Sequence, residues 1–429
     1  MLILKNDLVG KRMDMFENLL SGYRALDLTD EKGFVCGKIL AALGIETIKV
    51  EPPGGDPARS IPPFLHGKPE INNSLYWLAY NTDKRSITLN LELERGQELF
   101  KKLITQCDFV IESFKPRYLD SIGLSYITLT KINPRIILTS ITPFGQKGPY
   151  SGFKGSEIVV SAMSGIMSTN GDADRPPLRE GPDTIYFESN AAAALGTVMA
   201  HYVREKTGEG QQVDVSMQEV AVKRSSSNLL VWEFDKCLIK RAGTIRTVGA
   251  RSTHWIWECK DGHIFWSFMG GKPGSQGNRA MSKWIDDDGI ENPMRAITNW
   301  EEFDMAAQDV SKDLLDAQQE AIRQFFLRRT KKEITEEGFK RGLNACAINN
   351  PSDILENPQL KARDYWANID SPKANNPLKY PKYFFLGNQT ENFVKSAAPV
   401  PGEYNDAIYR NELMLSDKEI DELESSGVI

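Results

Sequence analysis

Carboxylates are the abundant reactive groups of this 429-residue chain, with 58 Asp and Glu against 4 His and 5 Cys. An enzyme with that supply would work through a carboxylate, as nucleophile or acid–base, sooner than through an imidazole or a thiol. Cys36, Cys107, Cys237, Cys259 and Cys346 are scattered and odd in number, with no CxxC pair. Their spacing therefore suggests neither a zinc site nor a disulfide framework, and it fits a reducing cytoplasm. His66, His201, His254 and His263 lack HExxH or any paired ligand spacing, so no metal is expected. Common nucleotide and ester chemistries also fall away, because GxGxxG, GxxxxGK[ST] and GxSxG are all absent. The glycine-rich run Met269–Gly277 (MGGKPGSQG) follows a strand of a hairpin and is expected to be a connecting loop, or more sharply a lid.

Cations cluster in three turns. Lys49 lies in IKVEPPGGDPAR, Lys84 and Arg85 in NTDKRS, and Lys115 and Arg117 in FKPRY. Each turn adjoins a strand-like run, where a parallel sheet holds its ligands. On a chain with formal net charge −6, three such turns point to an anionic ligand, a phosphate or a carboxylate. For Lys49 the alternative is a surface ion pair with Glu51. The acidic balance argues against a nucleic-acid partner, which needs a basic face. The N-terminal MLILKNDLVGKR is too short in apolar residues for a signal peptide, and Ile158–Met167 and Ala191–Met199 fall short of the ~20 residues that span a bilayer. A soluble protein is expected.

These turns need elements to place them. Tyr23–Thr29 alternates as a strand, Lys32–Leu43 has helical spacing, and Ile45–Glu51 is a second strand ended by Pro52 and Pro53. The pattern repeats with a helix over Leu93–Gln106, a strand over Asp108–Ser113, a helix over Tyr118–Ile132 and a strand over Arg135–Ile141. A long helix over Ala191–Glu205, starting near Ser189, precedes a strand over Gln212–Met217. Strands alternating with helices imply a parallel sheet covered on both faces. Beyond about residue 250 the texture changes to a hairpin (Trp255–Cys259 with His263–Phe268) and a charged helical region over Trp300–Gly338. The fold class expected is α/β, with a second, smaller α+β part.

Taken together, the segments LLSGYRALDLT, LAALGIETIKVEPPGGDPAR, NTDKRSITLNL, CDFVIESFKPRYLDSIGL, NPRIILTSITPFGQKGPY and REKTGEGQQVDVSM resemble the class III CoA-transferases, from about Leu20 to Ile429. The resemblance implies a Rossmann-like large domain over 20–225, completed by 385–429 and preceded by an N-terminal extension (1–19). It further implies linkers over 226–254 and 346–384, a small domain over 255–345, and two chains interlocked as a dimer. Coenzyme A, carried in as an acyl-CoA substrate, would lie along the large domain. The positions matching the family's CoA contacts are Lys49, Ser113, Phe114, Tyr118 and Ser121, with Arg85 in the second basic turn as a further candidate.

The family's chemistry needs one aspartate. Its carboxylate attacks the donor thioester to give a mixed anhydride, CoA thiolate returns to make an aspartyl thioester, and the acceptor acid reverses the sequence. Counting from PLREG (Pro177–Gly181) or from TGEGQ (Thr207–Gln211) reaches Tyr186 instead. A phenol with a reference pKa of about 10 and no acyl carbon cannot carry CoA. Glu188 lies two residues on, about 200° round a helix, and Asp183 three residues back, where a helix N-cap is expected. The leading expectation is therefore a subunit of a heteromeric transferase, such as the benzylsuccinate CoA-transferase of anaerobic aromatic degradation, whose catalytic paralogue supplies the aspartate. The alternatives are a self-sufficient homodimer using Glu188 or Asp183, and a structural partner that binds no CoA.

Overall fold

The computed structural model describes residues 19–248, 251–304, 311–371, 376–387 and 394–429. The expected N-terminal extension and its apolar start, up to residue 18, lie outside the described residues.

The first βαβ unit comprises β1 (Arg24–Leu28), α1 (Phe34–Ala42) and β2 (Glu46–Glu51). It is followed by α2 (Leu75–Tyr80), β3 (Lys84–Thr88), α3 (Glu94–Ile104), β4 (Phe109–Glu112), α4 (Tyr118–Ser121), α5 (Tyr126–Ile132), β5 (Ile137–Thr142), α6 (Glu157–Met163), α7 (Thr184–Thr207) and β6 (Gln212–Ser216). All six strands are parallel, in the order β3-β2-β1-β4-β5-β6. Both faces are buried, so the strands are apolar on both sides. Leu26, Leu28, Val110 and Leu138 face one cluster, which α3 and the C-terminal segment complete with Phe100, Tyr409 and Leu423. Ala25, Phe109, Ile111 and Ile137 face the other, filled by Cys36 and Leu40 of α1 and Ala193 of α7. The order reverses between β1 and β4, and the crevice beyond their carboxyl ends is where such sheets bind ligands.

Three sequence expectations are corrected. The helix expected over Tyr118–Ile132 is two helices, divided where Gly123 takes a left-handed φ of 72°. α7 begins at Thr184, a turn and a half before Ser189, and runs 24 residues to Thr207, capped by Gly208. Its start carries no capping hydrogen bond, since Asp183 sits in a left-handed conformation (φ 61°), so the cap expected of Asp183 is one of place only. The glycine-rich Met269–Gly277 run mostly belongs to a helix, described next, rather than to a loop.

Contacts divide the chain into two units. Unit 1 holds the sheet and comprises the chain up to Ile166, Arg179–Asp235 and Lys361–Ile429; unit 2 comprises Met167–Leu178 and Lys236–Leu360. In unit 1, α8 (Met217–Arg224) and α9 (Ser226–Asp235) follow the sheet. Unit 2 contains the antiparallel pairs β7 (Ile245–Val248) with β8 (Arg251–His254) and β9 (Ile256–Cys259) with β10 (Gly262–Phe265), then α10 (Gly271–Asp287), α11 (Lys312–Leu327), α12 (Lys331–Arg341) and the short β11 (Cys346–Ala347). α10 forms despite its glycines because Met281, Trp284 and Ile285, at helical spacing further along, bury against Trp266, Phe325 and Phe326. No helix among the described residues is long and apolar enough to cross a membrane.

Candidate active site

The reversal point of the sheet is built by the turns after β1 and β4. Ser113 Oγ donates to Asp30 Oδ1 at 2.7 Å and accepts from Asp30 N–H at 2.9 Å, which ties the two turns together. Under this knot lies a buried group of six charges. Lys84 Nζ is 2.8 Å from Asp27 Oδ2, Lys49 Nζ is 3.4 Å from Asp56 Oδ2, and Arg59 Nη2 is 2.6 Å from Glu51 Oε1. Burial pushes Asp27 up, but the Lys84 and Lys49 ammoniums outweigh it and hold the carboxyl below the usual range. The two ammoniums also lie 5.3 Å from the Phe34 ring. Gly37 keeps α1 close to this group, because a Cβ there would meet Asp27 Oδ2 at 2.1 Å.

Lys49, expected at the ligand edge or paired with Glu51, lies buried beneath that edge and pairs with Asp56 instead of Glu51. Its ammonium is 1% exposed, donates to Thr29 O at 2.5 Å and pairs with Asp56, while Glu51 is taken by Arg59 and Ser86. Arg85 is placed at the opposite, amino-terminal edge, where it pairs with Glu46 and lies 3.3 Å from Glu412. Ser121 Oγ donates to Tyr118 O at 2.7 Å, inside its own turn.

Tyr118 meets a cleft, and Phe114 packs behind it. Their rings pack 4.5 Å apart, and Tyr118 lines a cleft of about 520 Å³ between the turns after β4 and β5. Lys115, Arg117 and Lys147 stand around it, with no ion-pair partner among the described residues. Glu112, the last residue of β4, forms its floor and accepts from Phe114 N–H at 2.7 Å. Burial pushes Glu112 up to about 7, with Asp30 and Asp214 adding to the rise. A carboxyl raised in the folded state stabilises the fold at low pH, and that stability is lost as pH rises from about 4.5 towards 7. Glu112→Gln is therefore expected to be more stable than the unaltered chain at pH 8, by roughly 3 kcal/mol, with the gain gone below about pH 4.5. Urea unfolding at a series of pH values measures this; a pH-independent difference would contradict it.

Tyr186 is the third residue of α7, 7% exposed, and packed among Ile185, Val160 and Ala193. Its hydroxyl accepts a 3.0 Å hydrogen bond from Glu157 N–H, at the start of α6. Burial, then the charges of Glu31, raises its pKa above that of a free phenol, so it is neutral at pH 7. One turn on, Asn190 fixes α7 to the β1–α1 turn, donating to Lys32 O and Tyr186 O at 2.6 Å each and accepting from Cys36 N–H at 2.8 Å. Glu188 faces away, as the helical step requires, with Oε1 3.4 Å from Arg224 Nε. Asp183 is half-buried and raised by burial, with Arg179 working against the rise. Neither carboxylate occupies the place of Tyr186.

Sequence reasoning passed over Glu112, Asn190 and Lys147. Glu112 carried a usable signal, a lone charge in the apolar run FVIES, whose strand is buried on both faces. Asn190 carried none, because its partners are 154 and 158 residues away in sequence. Among the described residues, no group of three or more His, Cys, Asp or Glu is placed to hold a metal ion.

Residues 20–405 match the sequence pattern of CoA-transferase family III. The chain is 31% identical over 366 residues to the succinyl-CoA:(R)-benzylsuccinate CoA-transferase subunit BbsE of Thauera aromatica, covering 84% of this chain and 86% of that one. It is 30% identical to the formyl-CoA:oxalate CoA-transferase of Streptomyces coelicolor, over 97% of this chain and 100% of the other. Among solved structures, a CAIB/BAIF family protein from Brucella suis superposes with a TM-score of 0.79 at 25% identity, over 92% of this chain and 100% of that chain. A six-stranded parallel sheet, an anion-suited cleft at its carboxyl edge and a match over nearly the whole length agree, and the chain belongs to CoA-transferase family III, whose members use CoA thioesters as substrates.

Proposed function

We propose that this chain is the subunit of a heteromeric family III CoA-transferase that lacks the aspartate nucleophile, and that a paralogous chain supplies it. The reaction moves CoA between carboxylic acids, with succinyl-CoA as donor and an aromatic or dicarboxylic acid as acceptor. One observation carries the reading. Counting from the two sequence anchors brings the nucleophile position to Tyr186, which is buried, neutral and hydrogen-bonded to Glu157 N–H, while Glu188 is engaged by Arg224 on the other side of the helix. That BbsE is named as a subunit, as is the beta subunit of the Chloroflexus aurantiacus succinyl-CoA–L-malate CoA-transferase, supports it. The formyl-CoA:oxalate relatives are not named as subunits, which is why the test must separate the two cases.

In this reading the cations Lys115, Arg117 and Lys147 take the phosphates of CoA, and Tyr118, backed by Phe114, offers a flat surface to its base. Asn190 keeps α7 seated so that Tyr186 fills the space an acyl intermediate would need. The working compartment is the cytoplasm, where CoA thioesters are available.

The purified chain alone is expected to transfer no CoA from succinyl-CoA to an acid acceptor. Mixed with a paralogue bearing Asp at the position of Tyr186, it should form an active complex. Turnover by this chain alone would sink the proposal and point to Glu188 or Asp183. Calorimetry with CoA on the complex, showing two sites instead of one, would distinguish a CoA-binding subunit from a purely structural partner.

A further inference from the structure

Unit 2 contains a cavity of about 600 Å³ that the transferase reading does not use. Its origin is the strand leading out of β10. Ile264, Trp266 and Phe268 alternate into the core of unit 2, so Phe265, Ser267 and Met269 project to the opposite face and line the cavity. Trp255 stands edge-on to Phe265, with ring centroids 6.1 Å apart and planes at 83°, making an aromatic corner. The other wall is the first turns of α10, which approach closely because residue 274 is glycine; a Cβ there would meet Met269 O at 2.0 Å.

Two polar groups are left for a ligand. Among the described residues Arg246 is the only charged one lining the cavity; its guanidinium lies 5.9 Å from the Trp255 ring and pairs with no carboxylate of those residues. Ser267 Oγ is shielded from solvent and has no hydrogen-bond partner among the described residues. A buried hydroxyl without a partner costs on the order of 1–3 kcal/mol, so its retention asks for an occupant that bonds to it. Arg246 asks for an anion, which a planar guanidinium holds best as a carboxylate. The aromatic corner asks for a flat apolar body.

We propose that this cavity is a binding site for a small aromatic carboxylate, its ring held by Trp255 and Phe265 and its carboxylate by Arg246 and Ser267. The site lies wholly within unit 2 and stands independently of the role of Tyr186.

The test is isothermal titration calorimetry of the full chain with 2-naphthoate and with its neutral isostere, naphthalene-2-carboxamide. Saturable, one-site binding of the acid is expected, with the amide at least about tenfold weaker because it leaves the guanidinium without its anion. Arg246→Gln should erase that preference for the acid, and Ser267→Val should weaken both ligands. Phe265→Leu keeps the apolar volume but removes the ring, and should weaken both. Circular dichroism melts of each variant establish that it is folded. Absence of saturable binding, or binding equal in the unaltered chain and Arg246→Gln, overturns the site.

Discussion

Replacing Tyr186 by Asp is expected to turn the isolated chain into one that forms a covalent enzyme–CoA thioester. The present side chain is a neutral phenol, and on the proposed reading the substitution places an acyl carbon where the family's chemistry requires one. Adduct formation, followed by mass spectrometry of the intact chain with succinyl-CoA, should rise roughly 10³-fold or more, the scale at which nucleophile losses are felt in the reverse direction. The pH profile adds a second signature. Glu31, Asp30 and Glu157 already press on the hydroxyl of Tyr186, and burial is the larger influence. Both would raise a carboxyl at that place, and only its ionised form attacks, so the rate should climb with pH through the raised pKa. Removing the ring from a packed position costs an estimated 2–4 kcal/mol, so folding is checked alongside, with Tyr186→Asn as the size-matched control. A folded Tyr186→Asp chain that forms no adduct would show that the rest of the site no longer supports transfer.

The second large effect is on stability. Lys84→Met should destabilise unit 1 by about 3–5 kcal/mol, because it leaves the Asp27 carboxylate buried without its nearest cation. Both side chains have 0% exposure, so water cannot take over the lost partner. Asp27 is held ionised in the native state, so its loss of compensation is fully felt near neutral pH and shrinks as acid protonates it. The double variant Asp27→Asn with Lys84→Met should recover most of the loss. Guanidinium unfolding of the three variants decides this; equal stabilities would mean that Lys49 alone suffices to hold Asp27.

The framework of the large unit was legible because its signals are local. β1, α1 and β2 follow from alternation, helical spacing and the glycine and prolines that end them, and each lies within a few residues of its expected place. What failed depends on the third dimension. α7 starts early because its first turns are held by Asn190 and by Tyr186 meeting Glu157, not by a cap. α10 was masked by glycines that serve close approach. For the candidate site, Tyr186 rests on counting from two sequence anchors, and the Lys115–Arg117 turn does reach a cleft. The other cations divide by depth along the sheet. Lys49 is drawn inward by Asp56 and Thr29 O, and Arg85 faces the amino edge, because strand register decides which end of a sheet a residue reaches. Charge type and spacing do not encode that.

The C-terminal segment has a consequence for how the chain acquires its structure. Arg59 Nη2 donates to Pro399 O across 340 residues, Tyr409 OH donates to Thr88 O, and Ile420 and Leu423 complete one sheet face. On a ribosome, the strands of unit 1 emerge long before the residues that close them, and all of the Lys236–Leu360 part of unit 2 is made in the interval. The nascent sheet must therefore wait with one apolar face covered only in part, by α3 and its neighbours, which favours slow closure and chaperone engagement.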